Sequence, residues 1–328
     1  MAEIYRNHPA RHQAQVHPGM KLGEEEFTFE EQKKYLHEAG KLAANVRDTI
    51  AKMVKPGASV IDLCKEADKM IYDAKAIPAF PINISINDIA AHYTGQIDDN
   101  LIIPEVGVVK VDCGVSINGF IADTAQSVDL DGSYKDLLQA SIDACELAVK
   151  TLRAGTNLGK LGGLIGKTIR DAGFEPVRDL RGHLVERYIV HAGKSVPNIE
   201  ISGTEKAELH EVYAVEPFAS TGNGEIHADL NRINIFRAAP VRIALRSKHA
   251  KKIRNIAVHE FGGMPFAERW LLDRGLSVPE IKIGMLELKR TGAMIEYHVL
   301  RGASEDMISQ HEHTMIILED GTEVTTRL

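Results

Sequence analysis

Asp112 and Asp123 stand eleven positions apart in the segment VDCGVSINGFIADTA, on either side of an Asn118-Gly119 pair. Asn-Gly between two apolar, β-branched runs signals a hairpin. If pairing is symmetric about 117/118, the two aspartates are directly opposite. If the loop is Asn118-Gly119 alone, they are diagonal neighbours. Both registers put them on one face, because strand side chains alternate. Carboxylates ~5 Å apart across a hairpin repel each other, and a cation between them converts that cost into a binding site. Aspartates beside a turn are commonly solvated, but these two lie in apolar, strand-like surroundings (VVKVDCG and GFIADTA).

Further acids and histidines follow in similar settings. His183 and His191 lie in GHLVERYIVHAGK, Glu216 lies inside YAVEPF, and Glu312 sits in QHEHT at the entry to the apolar run MIIL. His92 lies in NDIAAHYT. A glutamate buried without a partner is costly, so a cation is the economical explanation for Glu216. One imidazole with four carboxylates and no thiolate suits two Mn, Fe, Co or Zn ions bridged by carboxylates. Such pairs, roughly 3.5–4 Å apart, clamp and activate a water for hydrolysis. Other signals fail on spacing: Gly166-Lys-Thr168 lacks the first glycine of a phosphate loop, and His259-Glu-Phe-Gly-Gly263 lacks the second histidine of HExxH.

These residues need a scaffold of mixed type. The chain has 328 residues, 44% hydrophobic and 26% charged, enough for one large domain or two ordinary ones. Its net charge of −7 argues against a globally basic nucleic-acid binder. No apolar run approaches the ~18 residues a membrane span needs. Residues 1–26, polar and rich in His, Arg and Gln, read as a flexible arm without a secretory apolar stretch. Three scattered cysteines (Cys64, Cys113, Cys145) form no disulfide framework and fit a reducing, cytoplasmic address.

Thr28-Phe-Glu-Glu31 has the form of a capping box and opens a long amphipathic helix that Pro56-Gly57 stops. A second helix starts at Ser59. The phrase AKMVKPGASVIDLCKEADKMIYDAK (51–75) is echoed by VKTLRAGTNLGKLGGLIGKTIRDAG (149–173) at an offset of 98, suggesting two halves of similar build. Strands are expected at 187–193, 212–220, 234–241 and 313–318, and helices again from about 240 to 292. Residues 228–296 carry 13 Lys/Arg against 7 Asp/Glu and read as an insertion with its own surface character. Its cluster of Arg246, Lys248, Lys251, Lys252 and Arg254 is first of all a solvated helix face, with a contact to RNA or a ribosome as the alternative.

The segments NDIAAHYTG, VDCGVSINGFIADTA, GHLVERYIVHAGKSVP, VYAVEPFASTGNG and SQHEHTMII together resemble the signature blocks of the type II methionine aminopeptidases, from about Thr28 to the C-terminus. The 96 positions between Glu216 and Glu312 agree with the helical insertion of that type. The resemblance implies an α/β pita-bread fold of two pseudo-symmetric halves, residues 27–328, with the insertion at about 228–296. It implies removal of the initiator methionine from nascent chains with a small second residue, by dimetal-activated attack of water. By resemblance, Asp112, Asp123, His183, Glu216 and Glu312 hold two divalent ions (Co, Mn, Fe or Zn). Asp123 and Glu312 bridge, Asp112 completes one ion, and His183 with Glu216 completes the other. Glu216 would carry the proton to the leaving amine. His92 and His191 would bind substrate and the tetrahedral intermediate, and Phe80, Val190 and Tyr297 would line the methionine pocket. Val190, His298 and His311 depart from the usual isoleucine, proline and small or aromatic residue. The expected partners are the N-terminal methionine of nascent chains and, transiently, the ribosome through the basic insertion. The resemblance includes no membrane and no sequence-specific nucleic acid, and a monomer suffices. The alternatives are an Xaa-Pro aminopeptidase or prolidase, and a non-catalytic binding relative of the fold.

Overall fold

The computed structural model describes residues 27–203 and 205–328. The expected N-terminal arm, 1–26, lies outside them. Helix α1 (Phe29–Met53) begins where the sequence says it should: Thr28 and Glu31 exchange bonds in a capping box, with Thr28 N–H donating to Glu31 Oε2 at 2.8 Å. Helix α2 (Val60–Asp73) follows, capped by Ser59. Short strands β1 (Ile77–Pro78), β2 (Asn83–Ile86) and β3 (Ile89–Ala91) lead to the long hairpin β4 (Val108–Ile117) and β5 (Phe120–Asp129). Strands β1, β2 and β5 all pair with β4 in one sheet.

The next part repeats this plan. Helices α3 (Lys135–Thr151) and α4 (Leu158–Asp171) precede β6 (Glu175–Pro176), β7 (Arg181–Val185), β8 (Ser195–Pro197), β9 (Val212–Val215) and β10 (Phe218–Ser220). The offset of 98 seen in the sequence holds at the ends of both helix pairs: Met53 with Thr151, Val60 with Leu158, Asp73 with Asp171. The helix-ending Gly57 and Gly155 both take positive φ, 79° and 86°. The two helix pairs cover separate apolar cores. Val46, Ile50, Leu63 and Ile71 pack on the first sheet, and Leu137, Leu161, Ile165 and Ile169 pack beneath Tyr213 and Met315 on the second.

A third core belongs to the stretch after β10. Strand β11 (His227–Ala238) and strand β12 (Met294–Arg301) pair antiparallel and frame α5 (Lys248–His259), a 3-10 turn (Glu268–Leu271) and α6 (Val278–Arg290). Phe236, Ile253, Phe266, Trp270, Ile281 and Leu288 fill the space between them. The chain ends with β13 (Ile308–Gln310), β14 (His313–Ile317) and β15 (Thr322–Val324). Strand β12 pairs with β3, and the five-stranded sheet runs β15-β14-β9-β7-β8. Among the described residues no helix is long and apolar enough to cross a membrane.

Several sequence expectations need correction. The strand expected at 187–193 is a turn, and the ladder instead uses Arg181–Val185. The stretch 212–220 is two strands in two sheets, broken at Glu216-Pro217, since proline cannot donate to a ladder. The 234–241 strand starts earlier and stops at Ala238. Helix α5 begins only at Lys248, where Ser247 caps it, and PFAERWLLDRG yields a single 3-10 turn.

That 3-10 turn carries a buried polar knot. Arg269 Nε donates to Asp68 Oδ2 at 2.9 Å, and Nη1 donates to Thr94 Oγ1 and the Gly95 carbonyl at 2.8 and 2.9 Å. Trp270 Nε1 donates to the same Asp68 oxygen at 2.8 Å. Cutting one partner out of such a pair strands a buried charge. Arg269→Met is therefore expected to cost ~3–5 kcal/mol, read as a lowered denaturant midpoint. Asp68→Asn combined with Arg269→Met should recover part of the loss. A single variant within ~1 kcal/mol of wild type would show that the pair is dispensable.

Candidate metal centre

The hairpin resolves the register left open by the sequence. Ile117 pairs with Phe120, and Asn118 (φ 53°) and Gly119 (φ 87°) form a two-residue turn with both φ positive. Asp123 therefore faces Gly114, Asp112 faces Ala125, and the aspartates are diagonal on one face. Gly114 is required for packing, since a Cβ there would stand 2.2 Å from Phe80 Cε1.

The two glutamates occupy matching breaks. Strand β9 ends at Val215 and β10 starts at Phe218; β13 ends at Gln310 and β14 starts at His313. Val215 pairs with His313, and Phe218 with Gln310. Glu216 and Glu312 thus lie where two neighbouring chains together leave one sheet and enter another. Strand β7 brings in His183, whose Nε2 is 3.6 Å from Asp123 Oδ2 and 3.9 Å from Glu216 Oε1. Asp123, His183 and Glu312 are buried and offer ligand atoms within 4.8 Å of one another. Asp112 and Glu216 are half-buried at the edge of this group.

The other expected residues surround it. His92 follows β3 with φ 66°, a strained backbone for a non-glycine residue, and its Nδ1 is 3.0 Å from the His298 carbonyl oxygen. His191 sits in the turn after β7 rather than in a strand, open to solvent, with its ring 4.4 Å from that of His183. Tyr297 meets His92 edge-on at 5.6 Å and His191 at 6.4 Å. Phe80 and Val190 join one apolar cluster with Ile121, Ala214 and Met264.

Residues 34–249 match the model of metallopeptidase family M24. The chain belongs to this family. A methionine aminopeptidase from Saccharolobus solfataricus is 40% identical over 289 residues, covering 88% of this chain and 96% of that protein. Among solved structures, a thermophilic Arx1 has a TM-score of 0.80 at 19% identity and covers 92% of this chain and 91% of that one. The methionine aminopeptidase from Rickettsia prowazekii has a TM-score of 0.64 at 22% identity, covering 92% of this chain and 99% of that one. The two-half mixed fold is the pita-bread fold.

For an M24 metallopeptidase the buried cluster fits a divalent-metal site. Asp112 Oδ1, Asp123 Oδ1 and Glu312 Oε2 are buried with no hydrogen-bond partner among the described residues. Such oxygens are costly unless a cation meets them. Burial pushes Asp112 up to about 7. Burial, and then the neighbouring carboxylates, holds Asp123, Glu216 and Glu312 well above the usual range. Burial also lowers His183 to about 4, leaving it neutral, the form that ligates metal.

Sequence reasoning missed three contributors. Gln310 Nε2 donates to Glu216 Oε2 at 3.1 Å; no spacing in the sequence links it to Glu216. Thr314 Oγ1 donates to the Asp123 carbonyl and accepts from Asp123 N–H, both at 2.7 Å. Met264 reaches the apolar cluster of Phe80 and Val190 from the stretch between β11 and β12, which no local pattern announces.

The raised carboxyl pKa values have a definite sign. In the metal-free fold these groups hold protons that the unfolded chain releases. Their contribution to stability is full below the usual carboxyl range and is lost as pH rises through the folded value, about 7 for Asp112. Metal binds the deprotonated cluster, so the metal-induced rise in Tm should grow between about pH 5.5 and pH 7.5. Groups remote from the cluster titrate alike with and without metal and cancel. Thermal unfolding of chelator-stripped and Mn-loaded protein at both pH values measures this. An increment that is constant or falls with pH would contradict the site.

Proposed function

We propose that the protein is a two-metal methionine aminopeptidase that frees the initiator methionine from nascent chains with a small second residue. The observation that carries this is the buried cluster of carboxylates and imidazole with unpartnered oxygens, near an apolar cluster, in a chain 40% identical to a methionine aminopeptidase. Asp112, Asp123, His183, Glu216 and Glu312 would hold the ions. Bound divalent ions supply the charge that balances the carboxylates and the Lewis acidity that makes water a nucleophile near neutral pH.

The chain's own residues do the rest. Phe80, Val190 and Met264 receive the methionine side chain, and Tyr297 backs the histidines. Burial keeps His92 neutral. A carbonyl oxygen only accepts, so His92 Nδ1 carries the proton it gives to His298 O, which leaves Nε2 as an acceptor. His92 then takes the N–H of the scissile peptide, while His191 donates to the carbonyl oxygen as negative charge develops there. Glu216, oriented by Gln310, takes the proton of the attacking water and returns it to the departing amine.

We treat residues 27–328 as one catalytic unit with the insertion at about 228–296, working as a cytoplasmic monomer. Arg246, Lys248, Lys251 and Lys252 are exposed and suit a transient, salt-sensitive contact with the ribosome. All five ligand candidates are present, which favours an enzyme over a non-catalytic binding relative.

Methionine release from Met-Ala-Ser tests the reading. Chelation should abolish it and Mn or Co should restore it. Glu312→Ala should lose at least ~100-fold in kcat/KM while remaining folded. Cleavage of Xaa-Pro peptides in preference to Met-Ala would transfer the assignment to a prolidase-type enzyme. No release with any metal would end the enzymatic reading.

A further inference from the structure

One half-buried cation, Arg237, has no paired anion among the described residues. Arg237 lies on β11, opposite Ile295, two residues from Ile235, which faces Tyr297. Strand alternation puts Ile235, Arg237, Ile295 and Tyr297 on one face, while Phe236, Ala238 and Met294 on the other face belong to the helical core. The Tyr297 ring lies against His92 and near His191, so the face that carries Arg237 looks onto the accessory histidines.

Arg237 is half-buried, and its Nε is fully enclosed with no hydrogen-bond partner among the described residues. Arg47 is matched by Asp48, Arg269 by Asp68, and Arg301 by Asp88 and Asp229. Arginine cannot discard its charge, and a desolvated guanidinium without an anion is costly. The missing anion is explained if it arrives with the ligand.

We propose that Arg237 is a specificity-determining residue that binds a carboxylate on the peptide beyond its second residue. The proposal rests on the aminopeptidase reading. The amino terminus of the peptide must enter the metal cluster and the methionine must fill the Phe80–Val190 pocket, so the remaining chain leaves past His92, His191 and Tyr297. Diagonal strand neighbours such as Tyr297 and Arg237 lie ~7–8 Å apart, about two residues of extended peptide at ~3.4 Å each. The carboxylate is therefore either an acidic side chain at the third position or the free terminus of a tripeptide. Both present the same planar acceptor to the guanidinium fork.

The experiment compares the metal-loaded enzyme on three peptides: Met-Ala-Ser-amide, Met-Ala-Asp-amide and Met-Ala-Ser with a free carboxylate. Wild type should favour at least one carboxylate-bearing peptide over the neutral one by ~10-fold or more in kcat/KM, chiefly through KM. Preference for the aspartyl peptide identifies a side-chain carboxylate as the ligand, and preference for the free acid identifies a terminal one. In Arg237→Gln that ratio should collapse towards one, and in Arg237→Lys part of it should survive. The Tm of Arg237→Gln should equal or exceed that of wild type, because no internal partner is lost. A wild type that cleaves all three peptides equally, an unchanged ratio in Arg237→Gln, or a clearly lowered Tm would each overturn the assignment and leave the aminopeptidase reading intact. A wild type that cleaves none of the peptides would overturn that reading and this proposal with it.

Discussion

Four carboxylates held close together in a poorly hydrated space are the constraint around which this fold is organised. Their mutual repulsion is worth far more in that space than in water. The surrounding protein does not relieve it: Thr314 bonds only the backbone of Asp123, and Gln310 reaches a single oxygen of Glu216. Each acid is instead fixed by an element that cannot give way. The β4/β5 hairpin fixes the aspartates on its face, and the paired strand breaks fix the glutamates where two sheets meet. Without a cation the acids escape that repulsion by holding protons, and because their positions are fixed, little rearrangement is left for a divalent ion that displaces those protons.

The duplicated helix pairs explain how such rigidity is reached. Each pair spreads an apolar face over one sheet, and the two sheets meet where the acids converge. The first half contributes Asp112 and Asp123, and the second contributes His183, Glu216 and Glu312. Neither half assembles this cluster alone. The later segment then adds one wall, through Met264 between β11 and β12 in the apolar cluster and through Tyr297 of β12 beside the histidines.

Much of this was legible in the residues. The hairpin was readable because Asn118-Gly119 marks a turn, although its register stayed open, and the first helix because Thr28 and Glu31 form a capping box. The duplicated helix pairs showed as an offset of 98 that the structure keeps to the residue. Less was legible where tertiary context overrides local pattern. The apolar run at 187–193 has strand character but is used in a turn, where Tyr188 takes a φ of 63°. The run 212–220 looks continuous because a strand break at a metal-ligand candidate leaves no trace beyond Pro217. Lys110 is a lone charge among valines in the sequence. It is fully buried, and its Nζ donates to the Asn87 and Ile308 carbonyls at 2.8 Å each. Arg237 and Arg269 differ only in whether an acid from a remote segment meets them, which sequence spacing does not encode.

The knot of Asp68, Arg269 and Trp270 bears on how this protein can diverge. It ties the first helix pair to the 3-10 turn of the later segment, and through Thr94 and Gly95 it reaches the chain two residues beyond His92. The later segment is therefore not an interchangeable module. A lineage that loses it, or a chimera that exchanges it, inherits an orphaned acid in the first half. Position 68 and the segment around 269 must change hands together, and the loop behind His92 is what registers any mismatch between them.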